Sequence, residues 1–289
     1  MASTRQLKGR IRSVKSTKQI TKAMELVAAS KMRKAQDAAK ATDAYAQIAS
    51  ELLSRLSNDG ETKTHPLYQT RPTKHRIVII VTSNRGLAGA YNANVLKQYI
   101  SRLQEDDKSN VKTSAIAIGK KGAQLATRLK NDHVMGVYNE LIDQPTGPAL
   151  KAITTTIVDA FTRAEVDAVE IIYTKYINSL VQQVTVQPLL PAGFTQVEVS
   201  ENIRQASFEP SPVEVLEAAT IRLIEAQLFQ ALLDSVASEH SMRMVAMKNA
   251  TDNASDLIDD LTLAMNKVRQ ADITQELAEI SGGVEAMKV

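Results

Sequence analysis

The 289-residue chain is expected to form an α/β domain held between two long α-helices, its N- and C-terminal segments, that pair as an antiparallel coiled coil. The α/β part is expected to have a central, mainly parallel sheet flanked by helices. Three observations point there. Ala28, Met32, Ala35, Ala39, Thr42, Ala46, Ala49, Leu53 and Leu56 keep strict 4-3 spacing. So do Leu223, Ala226, Gln230, Leu233, Ala237, His240, Met244, Met247, Thr251, Ala254, Ile258, Leu261, Met265 and Val268. Between these stretches, short β-branched runs alternate with helical patterns, the mark of strands joined by crossover helices.

The first helix is expected over residues 3–57. Ser3-Thr4-Arg5-Gln6 fits a capping box, and no proline interrupts before Pro66. At 1.5 Å per residue it would be about 80 Å long. Leu7, Ile11 and Val14 begin its apolar stripe. Extrapolating the later register backwards puts Lys18 and Glu25 on the seam, with Ile20, Met24 and Val27 on a neighbouring track. Residues 58–74 are a polar connector containing Gly60, Pro66 and Pro72.

From residue 75 to 195 the period changes. HRIVIIVTS, VKTSAIAIG and VEIIYTKY read as buried strands. YNANVLKQYISRLQ, GKKGAQLATRLK and PALKAITTTIVDAFTRAE read as helices between them. The final run, VQQVTVQPLLP, suits an antiparallel edge strand. Residues 196–210 are irregular. SPVE (211–214) then starts the last helix, with Ser211 as cap, Pro212 at the first position and Glu214 at the third. Gly282-Gly283 is expected to stop it after about 105 Å. The resulting division is 1–57, 58–210 and 211–289.

If the end of the first helix meets the start of the last, residue i lies near residue 269 − i. That register sets Lys8–Lys22 beside Asp252, Asp256, Asp259 and Asp260. It also leaves the turns from about Val268 onward as an unpaired tip.

Composition narrows the function. Hydrophobic residues make 44% of the chain and charged residues 23%, ordinary values for a water-exposed protein. Aromatics are only 4% and Trp is absent, which suits narrow helix seams better than a thick core. With no Cys there is no disulfide, thiolate or Cys-based zinc chemistry. MASTRQLKGRIRS has no apolar run of a secretory signal, and IVIIV (77–81) falls far short of the roughly 20 residues that span a bilayer. A peripheral role, without membrane insertion, is expected at any membrane. Net charge is +3, yet residues 1–40 carry eleven basic residues against Glu25 and Asp37. A basic end of this kind faces something acidic.

Few motifs carry chemistry. Gly86 and Gly89 in SNRGLAGAYN (83–92) stand between a strand and a helix, where backbone amides can cradle a phosphate. The spacing is not G-x-G-x-x-G and no Gly-Lys-Ser/Thr follows, so a tight turn is the better reading. His65, His75, His133 and His240 have no metal-ligand spacing, and no cofactor is expected. Met242, Met244 and Met247 form either an adaptable binding face or seam residues, and the seam explains Met244 and Met247 better. The basic N-terminal residues lack the interleaved aromatics that stack bases, so a partner-facing helix is favoured over nucleic acid.

Three stretches resemble the gamma subunits of F-type ATP synthases: RIRSVKSTKQITKAMELVAASKMRKAQ (10–36), TSNRGLAGAYN (82–92), and RMVAMKNATDNASDLIDDL with NKVRQADITQELAEISGG (243–283). Their order and separation agree too. Two positions depart from the family pattern: Asn84 stands where Asp is usual, and Val284 where Ala is. The resemblance implies a non-catalytic rotor, a coiled coil inside a ring of alpha and beta subunits. Its α/β foot would lie near epsilon and a membrane c-ring, with delta elsewhere in the complex, on the cytoplasmic face of a bacterial plasma membrane. It implies contact residues as well. Arg243, Arg269, Gln270, Thr274 and Glu276 would face loops of the ring, and Lys22 and Met24 an acidic lever of beta.

Overall fold

The computed structural model describes residues 4–58, 65–129, 133–142, 147–193, 201, 209 and 211–286. Contacts divide the chain into two compact units, residues 1–28 with 243–289, and residues 29–242. Both divisions fall inside the two long helices, α1 (Thr4–Asn58) and α5 (Pro212–Ala286).

The larger unit is built on one five-stranded sheet. Its strands are β1 (His75–Val81), β2 (Lys112–Ile118), β3 (His133–Tyr138), β4 (Ala168–Tyr176) and β5 (Gln182–Leu190). The spatial order is β3-β2-β1-β4-β5. The first four run parallel, and β5 returns antiparallel to β4. Helices α2 (Tyr91–Lys108), α3 (Lys120–Ala126) and α4 (Gly147–Thr162) make the crossovers. The expected antiparallel edge strand is therefore β5.

Strand β1 is apolar from Ile77 to Val81 because both faces of the sheet are covered. Side chains alternate between two cores. Ile77, Ile79 and Val81 join Ile153, Ile157 and Phe161 of α4 and Ile224, Leu228 and Leu232 of α5. Val78 and Ile80 join Val95 and Tyr99 of α2 and Ala126 of α3. Each such fully buried side chain stabilises the fold by about 1.5–3 kcal/mol. Charges buried at the sheet's edge of entry are paired, as burial requires. Arg76 donates to Asp106 at 3.2 Å and is ion-paired with Glu170, which also receives Arg102. Gly119 makes the β2–α3 turn at φ 94°; a Cβ there would lie 2.0 Å from the Thr82 carbonyl oxygen.

Within this unit Met32, Ala35, Ala39, Ala49, Leu53 and Leu56 of α1 are buried, as their spacing predicts. So are Leu223, Ala226, Leu233 and Ala237 of α5, while Gln230 and His240 are half-buried. Thr42 and Ala46 have side chains outside the described residues, as does Ser3 of the expected capping box. The second cap forms: the Glu214 N–H donates to Ser211 Oγ at 3.3 Å.

Two expectations are corrected. Strand β3 was not foreseen; its sequence, HVMGVY, contains a glycine and its residues are alternately exposed, so no buried run marks it. The last helix also does not stop at Gly282-Gly283 but continues to Ala286. Gly283 stays out of the left-handed region, so no cap of that type forms there, and a helical glycine costs only about 1 kcal/mol against alanine.

Candidate partner-contact surface

The smaller unit pairs α1 residues 4–28 with α5 residues 243–286. Its seam is thin. Leu7 and Ala28 on α1 and Met247 and Ala254 on α5 are the buried apolar side chains among the described residues. Ile11, Val14, Ile258, Leu261, Met265 and Val268 are half-buried. Lys18 and Glu25 are half-buried, as backward extrapolation of the seam expects; of the neighbouring track, Ile20 and Val27 are 58% and 57% exposed but Met24 is half-buried too.

At the middle of the seam two hydroxyls meet, Thr21 Oγ1 and Thr251 Oγ1, 2.8 Å apart. Thr21 also reaches the Lys18 carbonyl at 3.0 Å and Thr251 the Met247 carbonyl at 2.8 Å. Two hydroxyl protons thus serve three acceptors, and any two contacts are made at once. Nearer the ends, Thr4 Oγ1 donates to Asp272 at 2.9 Å. The pairing is antiparallel, but the partners of Thr21 and Thr4 lie three and seven residues beyond the positions 248 and 265 that a simple meeting of helix ends predicts. Packing of side chains fixes the register, and chain-end geometry does not.

The expected charge pairing takes a looser form. Lys15, Lys18 and Lys22 line a groove of about 810 Å³ together with Asp252, Ser255 and Ile258. Among the described residues no salt bridge joins Lys8–Lys22 to Asp252, Asp256, Asp259 or Asp260; Lys22 pairs with Glu25 on its own helix at 2.9 Å. The groove thus brings the ammonium groups of Lys15 and Lys18, and that of Lys22 paired with Glu25, beside the apolar side chains of Ala23, Leu26 and Ile258.

Lys22 is exposed beside this groove and Met24 is half-buried. Arg243 is buried within the chain. Arg269 is exposed and lines a second groove of about 550 Å³ with Thr4, Lys8 and Arg12. Gln270, Thr274 and Glu276 are exposed, and Thr274 Oγ1 donates to the Gln270 carbonyl at 2.8 Å. Ile273, Leu277 and Ile280 are 50%, 60% and 64% exposed at helical spacing on the same run. The sequence reading named only polar contact residues on this run and so missed its apolar stripe.

The strand-to-helix loop is a tight turn held by hydrogen bonds within the chain. The Ser83 N–H donates to Asn92 Oδ1 at 3.0 Å, and the Tyr91 N–H to the Ala88 carbonyl at 3.2 Å. Leu87 and Gly89 adopt positive φ, 63° and 55°. Asn84 ties the loop to its neighbours through Lys120 N–H and the Asn139 carbonyl. Among the described residues no group of three or more His, Asp or Glu can hold a metal. His65 serves structure. Its Nδ1 accepts from the Leu67 N–H at 3.3 Å, and burial lowers its pKa against the weaker opposing pull of Glu217.

Comparison with known proteins agrees with this architecture. The ATP synthase family model matches residues 3–287. The chain is 42% identical over 289 residues to the ATP synthase gamma chain of Roseiflexus castenholzii, covering 99% of both. It is 39% identical to the gamma chain of Macrococcus caseolyticus, covering 100% of both. Among solved structures, it is similar to a chain of the central stalk and c-ring of the Tetrahymena thermophila mitochondrial ATP synthase, with TM-score 0.63, 26% identity and coverage of 80% of this chain and 99% of that one. A chain from the Euglena gracilis mitochondrial ATP synthase shares the fold, with TM-score 0.70 at 19% identity over 98% of this chain and 94% of that one. The architecture is that of a stalk subunit, not of a catalytic one. The chain belongs to the ATP synthase gamma chain family.

Proposed function

We propose that this chain is the central rotor of an F-type ATP synthase, coupling ion-driven rotation of a membrane c-ring to conformational change in a catalytic ring of alpha and beta subunits. The observation that carries this reading is the smaller unit. It is a thin two-helix seam whose outer surface displays apolar side chains and basic grooves. A helix pair held by few buried side chains leaves most of its surface for partners. Leu26, Val27, Leu263, Ile273, Leu277 and Ile280 are all at least half exposed, more apolar surface than an isolated helix pair needs.

The lysine-lined groove suits an acidic partner segment, so Lys22 and Met24 are assigned to an acidic lever of beta. Arg269, Gln270, Thr274 and Glu276 are assigned to loops of the alpha-beta ring. Arg243, also expected there, would act from a buried position. The larger unit is assigned to epsilon and the c-ring, with delta elsewhere in the complex. None of the described helices is long and apolar enough to cross a membrane. The chain is assigned to the cytoplasmic face of an energy-transducing membrane as a peripheral subunit.

Affinity capture of the native complex with quantified stoichiometry tests the reading. One copy of this chain against three alpha and three beta is expected, and the purified chain alone should hydrolyse no ATP. ATP turnover by the isolated chain, or capture without those subunits, would overturn it.

A further inference from the structure

Strand β4 outruns its neighbour β1. The two pair only from Ala168 to Ile172, while β4 continues to Tyr176. On its other side β4 stays paired with β5 as far as Tyr176 with Gln182. The edge that β1 vacates leaves backbone N–H and C=O groups that need partners.

Helix α5 supplies them with hydroxyls. Ser235, Ser238 and Ser241 recur every third residue and are fully buried. The Thr174 N–H donates to Ser235 Oγ at 3.2 Å. Ser238 Oγ donates to the Thr174 carbonyl at 3.1 Å. Ser241 Oγ donates to the Ser179 carbonyl, in the β4–β5 turn, at 2.8 Å, and accepts from Gln182 Nε2 at 3.2 Å. At Thr174 the first serine accepts and the second donates, so side chains of a helix stand in there for the missing strand, while the third fastens the turn that follows.

Helix propensity does not explain these serines, because alanine would serve a helix interior better. Nor is the ladder needed for simple adhesion. Ile224, Leu228, Ala231 and Leu232 already bury α5 against the sheet. Apolar burial is non-directional, however, and tolerates sliding and rotation of one element on another. Hydrogen bonds weaken steeply when misaligned.

We propose that Ser235, Ser238 and Ser241 are positioning residues that lock α5 in axial register and angle against the β4–β5 hairpin, and so carry torque between the sheet and the helix. This rests on the rotor function proposed above.

The test uses the assembled ATP synthase in vesicles, with the α-β ring fixed for single-molecule work and a bead attached to the sheet unit of this chain. The variants are the double Ser235→Ala/Ser238→Ala, the single Ser241→Ala, and Ser241→Thr, which restores a hydroxyl. Ile157→Val in the same unit serves as a packing control. Both alanine variants are expected to widen the angular fluctuation of the bead and to lose proton pumping against an imposed gradient while ATP hydrolysis persists. Ser241→Thr should recover both, and Ile157→Val should behave as wild type. Unchanged fluctuation and pumping in the alanine variants overturns the joint. If the double variant does not assemble, Ser241→Ala against Ser241→Thr decides alone. A wild-type bead that never rotates would instead sink the rotor function itself.

Discussion

Asn84 shows how one amide can decide a loop. Its Nδ2 donates to the Asn139 carbonyl at 2.7 Å and its Oδ1 accepts from the Lys120 N–H at 3.1 Å. It therefore joins the end of β1, the start of α3 and the residue after β3. An aspartate, which the resembling family usually carries here, keeps the acceptor but faces a carbonyl with a carboxylate and no proton. Leaving that carbonyl without its donor costs about 1–3 kcal/mol. Asn84→Asp is thus expected to lower the thermal midpoint by several degrees at neutral pH, with less loss in acid, where a protonated carboxyl can donate again. Calorimetry at the two pH values checks this; equal midpoints for variant and wild type at neutral pH would refute it. Motif comparison marked position 84 as a departure, but its partners lie far along the chain and only the fold brings them together. The seam was easier to read. Spacing alone put Lys18 and Glu25 on it, although the hydroxyl pair Thr21–Thr251 went unnoticed because neither residue interrupts the pattern.

Among the elements, the two long helices were the most legible and the small edge strand the least. A heptad repeats its message many times, so local errors cancel. Strand β3 states its message once, in six residues, with a glycine inside. The serine ladder was invisible for another reason: its partners are mostly backbone groups, at Thr174 of β4 and at Ser179 of the turn after it, and backbone groups leave no trace in a sequence. The end of α5 is a legible element with a measurable consequence. Residues 269–281 are exposed along their whole length, apart from the surface hydrogen bond of Asp272 to Thr4. Truncating the chain after Val268 therefore removes almost no buried surface. The thermal midpoint of the isolated chain is expected to hold within a few degrees, since loss of one exposed hydrogen bond is worth about 0.5–1.5 kcal/mol. In the assembled enzyme the same truncation should weaken ATP-driven pumping, because Arg269, Gln270, Thr274 and Glu276 lose their assigned partners. A large fall in the midpoint of the free chain, or full pumping by the truncated complex, would contradict this assignment.

Across the whole molecule, stability is unevenly distributed, and the difference follows from where apolar side chains are buried. The larger unit contains two cores that cover both faces of its sheet. Among its described residues the smaller unit buries Leu7, Ala28, Met247 and Ala254 and little else that is apolar. Two helix segments with so thin a seam form a region of low local stability, since opening free energies range from near zero up to the global value according to buried contacts. A partner that binds only the closed helix pair would stabilise it by mass action. In native-state hydrogen exchange of the isolated chain, amides of residues 8–28 and 247–268 should therefore exchange far faster than those of β1 and β4. Adding the alpha and beta subunits should slow the helix amides strongly and leave the sheet amides nearly unchanged. Equal protection of both units in the free chain would mean that the seam is stabilised by something other than buried apolar surface. A helix pair still fast to exchange in the complex would mean that the ring does not enclose it.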